Sequence, residues 1–135
     1  MLRLSEIAYR QMVGHAYDCL PEEACGLLAG DLRSGHAPAF YPCRNAAGSS
    51  RIYTVDPKDH LRADRDADAR GMEIIGVMHS HTHTDAYPSP TDVDQAPVPE
   101  WHYVIVSLRD TAPVLRSFSI RDGRIEEEPV VVENR

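Results

Sequence analysis

The chain has 135 residues, of which 42% are hydrophobic and 26% are charged, and its formal net charge is −7. This composition is typical of a soluble globular protein, and we predict one domain over residues 1–135 with a core that needs no disulfides. The negative charge argues against nucleic acid or an anionic membrane as a partner, and no apolar run approaches the ~18 residues of a membrane span.

The N-terminal residues lack the apolar core of a signal peptide, and the three cysteines form no Cys-x-x-Cys pair. We therefore expect a reduced cytoplasmic protein.

The first half of the chain predicts two helices and three strands. The helices cover residues 5–20 and 56–70, and the strands cover residues 24–30, 37–43 and 51–55. Ser5 and the pair Asp56-Pro57 are N-terminal helix signals, and Pro21 and Gly71 follow the two helical patterns. Residues 45–50 predict a polar loop.

The second half predicts a short helix and four further strands. The strands cover residues 74–78, 101–108, 113–120 and 124–133, and the helix covers residues 90–96. Asp122-Gly123 predicts a hairpin turn, across which residues 124–133 pair back. Strands mixed with helices along the chain predict an α/β fold with a mixed sheet, two main helices and the short third helix.

Two histidines directly follow the apolar run Ile74 to Met78. In an extended strand, residues two apart share a face, so His79 and His81 can point at one metal ion. Ser89-Pro90 then predicts a helix start, with Asp92 in its first turn. Two imidazoles and one carboxylate are three zinc ligands, and they leave a fourth position for water, as in catalytic zinc sites.

Hydrolytic zinc chemistry also needs a general base close to the attacking water. Glu22 and Glu23 stand directly before the buried strand 24–30, where a carboxylate is costly unless something pairs with it. Both are candidates at this point.

Taken together, Glu23, His79-x-His81 and Ser89-x-x-Asp92 resemble the JAMM (MPN+) metalloprotease motif. The chain is also similar to the bacterial Mec family over most of its length. The matching segments are 21–30, 79–82, 86–89, 91–93, 102–104, 115–117, 122–123 and 127–130. The resemblance implies a JAMM/MPN-like domain with cytidine-deaminase-like layering, and a zinc peptidase that cuts after the Gly-Gly of a ThiS-like sulfur-carrier protein and releases cysteine.

The same resemblance implies a role for each site residue. His79, His81 and Asp92 bind Zn²⁺, and Glu23, rather than Glu22, takes a proton from water and returns it to the leaving amine. Ser89 donates a hydrogen bond to the oxyanion.

Several alternatives stay open. Ser89 can be a helix cap alone. His83 continues the spacing of His79 and His81 and is a candidate further zinc ligand, although a loop is expected to begin by Thr82, where strand alternation no longer applies. Cys25 is a candidate nucleophile for cysteine-protease chemistry, but a thiol in such an apolar segment is more often a small buried hydrophobic side chain. The enzyme could instead trim a C-terminal extension from the carrier protein to expose Gly-Gly. A further hypothesis is that the chain is a non-catalytic MPN scaffold. A deaminase would need His-x-Glu and Cys-x-x-Cys, which the sequence lacks.

The substrate tail is expected to bind by strand addition beside residues 45–54 or 82–88. Whether the chain forms a homodimer is left open.

Overall fold

The structure is a computed structural model that describes residues 1–134, so the last residue of the predicted domain lies outside the described residues. It contains an eight-stranded sheet and three helices, which confirms the predicted α/β fold. The strands are β1 (Leu2–Ser5), β2 (Cys25–Asp31), β3 (His36–Cys43), β4 (Glu73–His81), β5 (His102–Ser107), β6 (Val114–Arg121), β7 (Arg124–Glu128) and β8 (Val130–Glu133). The helices are α1 (Glu6–Asp18), α2 (Pro57–Ala69) and α3 (Pro90–Asp94).

The sheet is mixed, with the strand order β7-β6-β5-β4-β2-β3-β1-β8. The central strand β4 pairs antiparallel with β2 and parallel with β5. α1 packs with Leu28 and Met78 on one face of the sheet, whereas α2 packs with Leu27 and Val77 on the other. Both faces are therefore covered, which explains why β4 is a nearly continuous buried run.

Both predicted N-caps of the main helices are confirmed. The Ser5 hydroxyl accepts a hydrogen bond from the Ala8 amide at 3.0 Å, and the Asp56 carboxylate accepts one from the Asp59 amide at 3.2 Å. Among the described residues, no helix is long and apolar enough to cross a membrane.

The prediction that residues 124–133 form one strand pairing back on β6 is wrong in its second half. β7 does pair with β6 across the Asp122-Gly123 turn, but β8 pairs with β1 at the opposite edge of the sheet. Pro129, which separates the two, has no N–H to continue the first ladder. The Leu2 amide donates to the Pro129 carbonyl at 2.9 Å, and this residue alone lies between the two edge strands β7 and β8 in the chain.

The short strand predicted over residues 51–55 is also wrong. The segment is irregular, with one isolated bridge between Asn45 and Val55. The Asn45 side chain takes the place of a neighbouring strand, since its amide donates to the Ile52 carbonyl and its oxygen accepts from the Thr54 amide. The third helix is shorter than predicted and ends at Asp94.

Candidate active site

The end of β4 places two imidazoles side by side. His79 and His81 continue the side-chain alternation of Val77, so both project on the α2 face of the sheet. Both are buried, with exposed fractions of 2% and 5%, and their Nε2 atoms lie 3.1 Å apart. The strand prediction for this stretch is confirmed, and it extends through both histidines.

The start of α3 supplies the carboxylate. The Ser89 hydroxyl accepts a hydrogen bond from the Asp92 amide at 3.1 Å, and Asp92 Oδ2 accepts one from the Ser89 amide at 2.9 Å. This capping box fixes the direction of the Asp92 side chain. The same Oδ2 atom lies 3.1 Å from Nε2 of His79 and 3.0 Å from Nε2 of His81.

The three convergent atoms form a group that can hold a metal ion, since the ligand atoms all lie within 4.8 Å of one another. Nδ1 of His81 is 2.7 Å from the Asp85 carbonyl. Donation of its hydrogen to that carbonyl leaves the Nε2 lone pair facing the cluster. Two nitrogens and one oxygen match the ligand types of catalytic zinc sites.

His79 is held differently from His81. Its Nδ1 is buried and has no hydrogen-bond partner among the described residues. Instead, the Tyr53 ring stacks on the imidazole, with ring centroids 4.3 Å apart and 15° between the planes. Tyr53 is therefore a candidate for orienting the first ligand by packing.

The electrostatics of the cluster favour one cation at its centre. Burial lowers the pKa of His79 and opposes a proton on His81, but hydrogen bonds with Asp92 and the Asp85 carbonyl raise the pKa of His81 above its ordinary value. Burial alone would raise the pKa of the Asp92 carboxyl, yet hydrogen bonds from both imidazoles hold that pKa well below its usual range. The metal-free cluster thus keeps a carboxylate beside two imidazoles, a set of donors that suits a metal ion.

Strand register brings Glu23 to the same cluster. Cys25 pairs with His79 in the antiparallel ladder of β2 and β4. One residue earlier, the Ser80 amide donates a hydrogen bond to the Ala24 carbonyl at 3.0 Å. Continuing this antiparallel register places Glu23 opposite His81. The sequence spacing does not contain this information, since it depends on how β2 and β4 align.

The Glu23 carboxyl is in an unusual environment. Only 4% of the residue is exposed, and Oε1 has no hydrogen-bond partner among the described residues. Burial raises the pKa of Glu23 from 4.5 to about 7, while the charge of His81 lowers it and that of Asp92 raises it. A carboxyl with a pKa near neutrality can both accept and return a proton. Glu22, the other candidate base, is exposed.

Two other side chains singled out from the sequence stay outside the cluster. His83 is exposed in the loop after β4 and is not among the convergent ligands. Cys25 is buried, and burial raises the pKa of its thiol to about 12, so it is not poised as a nucleophile.

Sequence reasoning missed Asn45 and Tyr53 as parts of the site. The Asn45 amide donates to the Glu23 carbonyl at 3.0 Å and so attaches the loop over residues 45–54 to the start of β2. The Glu23 amide in turn donates to the Ser49 carbonyl at 2.8 Å. The only sequence signal was the prediction that the substrate tail binds beside residues 45–54.

Comparison with known proteins identifies related chains. A family model described as prokaryotic homologs of the JAB domain matches residues 5–121. The CysO-cysteine peptidase of Mycobacterium tuberculosis is 43% identical over 122 residues, which are 90% of this chain and 84% of that protein.

Two solved structures resemble the fold. The solution structure of a Desulfitobacterium hafniense protein matches with a TM-score of 0.91 and 33% identity, covering 100% of this chain and 94% of that one. A JAB1/MPN domain protein from Archaeoglobus fulgidus matches with a TM-score of 0.63 and 17% identity, covering 99% and 98% of the two chains. The second likeness concerns the fold alone.

Proposed function

The chain belongs to the family of prokaryotic homologs of the JAB domain, and we propose that it is a zinc-dependent peptidase acting on a sulfur-carrier protein. In this proposal it hydrolyses the bond after the C-terminal Gly-Gly of a ThiS-like, ubiquitin-fold carrier and releases cysteine. The observation that carries the proposal is the buried convergence of His79, His81 and Asp92, with the buried Glu23 carboxyl close enough to feel the charges of His81 and Asp92.

His79, His81 and Asp92 would hold the zinc ion, and their fourth partner would be water. Zinc would supply Lewis acidity: it would polarise the scissile carbonyl and lower the pKa of water, so that water loses a proton and attacks at neutral pH. The capping box and the Asp85 carbonyl keep two of the ligand side chains oriented before any ion binds.

Glu23 is the proposed general base and acid. It takes a proton from the attacking water, and it then gives that proton to the amine that leaves. In the metal-free protein burial raises the pKa of Glu23 to about 7, so its carboxylate is a stronger base than that of an exposed glutamate.

Ser89 is the proposed hydrogen-bond donor to the developing oxyanion. Its Oγ accepts from the Asp92 amide, and a hydroxyl that accepts through a lone pair still has its own hydrogen to donate. Helix capping and oxyanion stabilisation can therefore use one side chain at the same time.

The proposed substrate rests on the relative that is named a CysO-cysteine peptidase and is 43% identical over most of both chains. The proposal places the protein in the cytoplasm, together with the sulfur-carrier protein that it would cleave. The carrier tail would lie along the loop over residues 45–54, which is attached to Glu23, and the loop over 82–88.

The test uses zinc-loaded protein and a carrier that ends in Gly-Gly-Cys. Glu23→Gln should keep stoichiometric zinc and lose cleavage, since the glutamine cannot accept the proton of the attacking water. Glu22→Gln is the matched control, because its side chain is exposed, and it should cleave normally. Asp92→Ala should lose both zinc and activity. Turnover retained in Glu23→Gln would refute the base assignment.

The alternative is trimming of a longer extension from the carrier. Mass spectrometry of carriers ending in Gly-Gly-Cys or in Gly-Gly with two further residues distinguishes the two substrates. Faster cleavage of the longer carrier would favour trimming.

A further inference from the structure

The loop that is hydrogen-bonded to Glu23 carries an exposed arginine, and we propose that Arg51 binds the terminal carboxylate of the residue that leaves. This inference rests on the proposed function. It adds that the enzyme selects substrates in which the leaving group is a single amino acid with a free carboxylate, not a longer tail.

The position of Arg51 follows from its neighbours in the chain. The Ser49 carbonyl accepts a hydrogen bond from the Glu23 amide at 2.8 Å, and the Ser50 carbonyl accepts one from the Thr82 hydroxyl at 3.4 Å. Glu23 is the proposed base, and Thr82 directly follows the ligand His81. The segment that carries Arg51 therefore connects Glu23, the proposed base, to the residue after His81.

The chemistry of the leaving residue favours a cation near Glu23. Its amine must approach Glu23 to receive the proton, and its carboxylate is attached to the same α-carbon as that amine. The carboxylate thus enters a site that already holds the acidic groups of Glu23 and Asp92, in a chain with a net charge of −7. An arginine guanidinium offers a planar pair of donors that matches a carboxylate.

Arg51 has the properties of a cation kept for a ligand. It is exposed, and its side chain forms no ion pair or hydrogen bond with the described residues. Arg109, in contrast, is already paired with Asp85 at 2.8 Å. Arg44 is also exposed. It lines a cavity with Glu22 and Glu23 to which His79, His81 and Asp92 do not contribute, which makes it the natural comparison.

The experiment compares two carriers, one ending in Gly-Gly-Cys with a free carboxylate and one ending in the corresponding amide. The zinc-loaded wild type should cleave the acid about 10- to 100-fold faster in kcat/KM, as expected for one charge-assisted hydrogen bond. Arg51→Gln should reduce this preference to about threefold or less, whereas Arg51→Lys keeps part of it and Arg44→Gln keeps all of it. The assay runs near pH 8, where histidines are mostly neutral.

A binding measurement gives a second readout without turnover. In the Glu23→Gln background, the uncut acid carrier should bind more tightly than the amide, and adding Arg51→Gln should remove the difference. Equal cleavage of acid and amide by the wild type, or a preference that survives Arg51→Gln, overturns the assignment. A preference lost in Arg44→Gln instead overturns it in favour of that residue. Cleavage of neither carrier overturns the proposed function itself.

Discussion

Replacing Glu23 with glutamine should stabilise the metal-free protein at neutral and alkaline pH, although it removes the proposed base. The native structure buries this carboxyl, leaving only 4% of the residue exposed and Oε1 without a hydrogen-bond partner among the described residues. Ionisation there is costly, whereas the unfolded chain ionises freely in water. Glutamine has the shape of the protonated acid and does not carry this cost.

The magnitude follows from the pKa of Glu23, which burial raises from 4.5 to about 7. Below pH 4.5 the group is protonated in both states and contributes nothing to the pH dependence. Between 4.5 and about 7 the native state binds more protons than the unfolded state, so stability falls as the pH rises. Since one pKa unit equals about 1.36 kcal/mol, the full loss is about 3 kcal/mol above neutrality.

Urea unfolding of chelator-treated protein from about pH 5 to about pH 8 measures this difference. The chelator keeps out metal ions, which would stabilise the carboxylate and hide the effect. Glu23→Gln should gain about 3 kcal/mol over the wild type at about pH 8 and much less at about pH 5. Glu22→Gln, at an exposed position, should follow the wild type. Parallel curves for all three proteins would refute the desolvated environment of Glu23.

Three further predictions use matched pairs. Tyr53→Leu should weaken zinc binding by about tenfold or more, and Tyr53→Phe should not, because only the first removes the ring that stacks on a ligand; equal affinities in a chelator competition would exclude this role. Ser89→Ala and Ser5→Ala each remove a helix N-cap and should cost about 1 kcal/mol in urea unfolding. Only Ser89→Ala should also lower kcat, by about 100-fold, and an unchanged kcat would leave capping as its sole job. Gly76→Ala should destabilise by about 1–3 kcal/mol, because its Cβ would lie 2.4 Å from a backbone carbonyl of β5. Gly14→Ala, in an open position on α1, should stabilise by about 0.5–1 kcal/mol, so shifts of the same sign would contradict the packing argument.

Local sequence signals were sufficient for most of the elements that build the site. An apolar run followed by alternating histidines predicted β4, and Ser89-Pro90 predicted α3, because strand periodicity and helix capping act over a few residues. The capping box also turns Asp92 towards the histidines, so the ligand geometry depends on the same local interaction that starts the helix.

The sequence did not predict the features that depend on contacts between residues far apart in the chain. Residues 51–55 have strand-forming side chains, but the amide of Asn45 takes the backbone hydrogen bonds that a partner strand would need. β1 was missed because four residues are too short for a clear pattern and its partners lie far along the chain. The position of Tyr53 over His79 could not be read from spacing, because it depends on how an irregular loop folds back onto the sheet.

The pairing of the first strand with the last described strand has a consequence for how the protein is made. β1 pairs with β8 from Leu2↔Val130 to Ser5↔Glu133, so the first strand synthesised is completed by the last one described. Until residues 130–133 have left the ribosome, one side of β1 lacks its strand partner, and an unpaired strand edge is a template for aggregation. Residues 79–92, by contrast, leave the ribosome well before β8 does. We therefore expect a nascent chain that can gather its metal ligands while its sheet is still open.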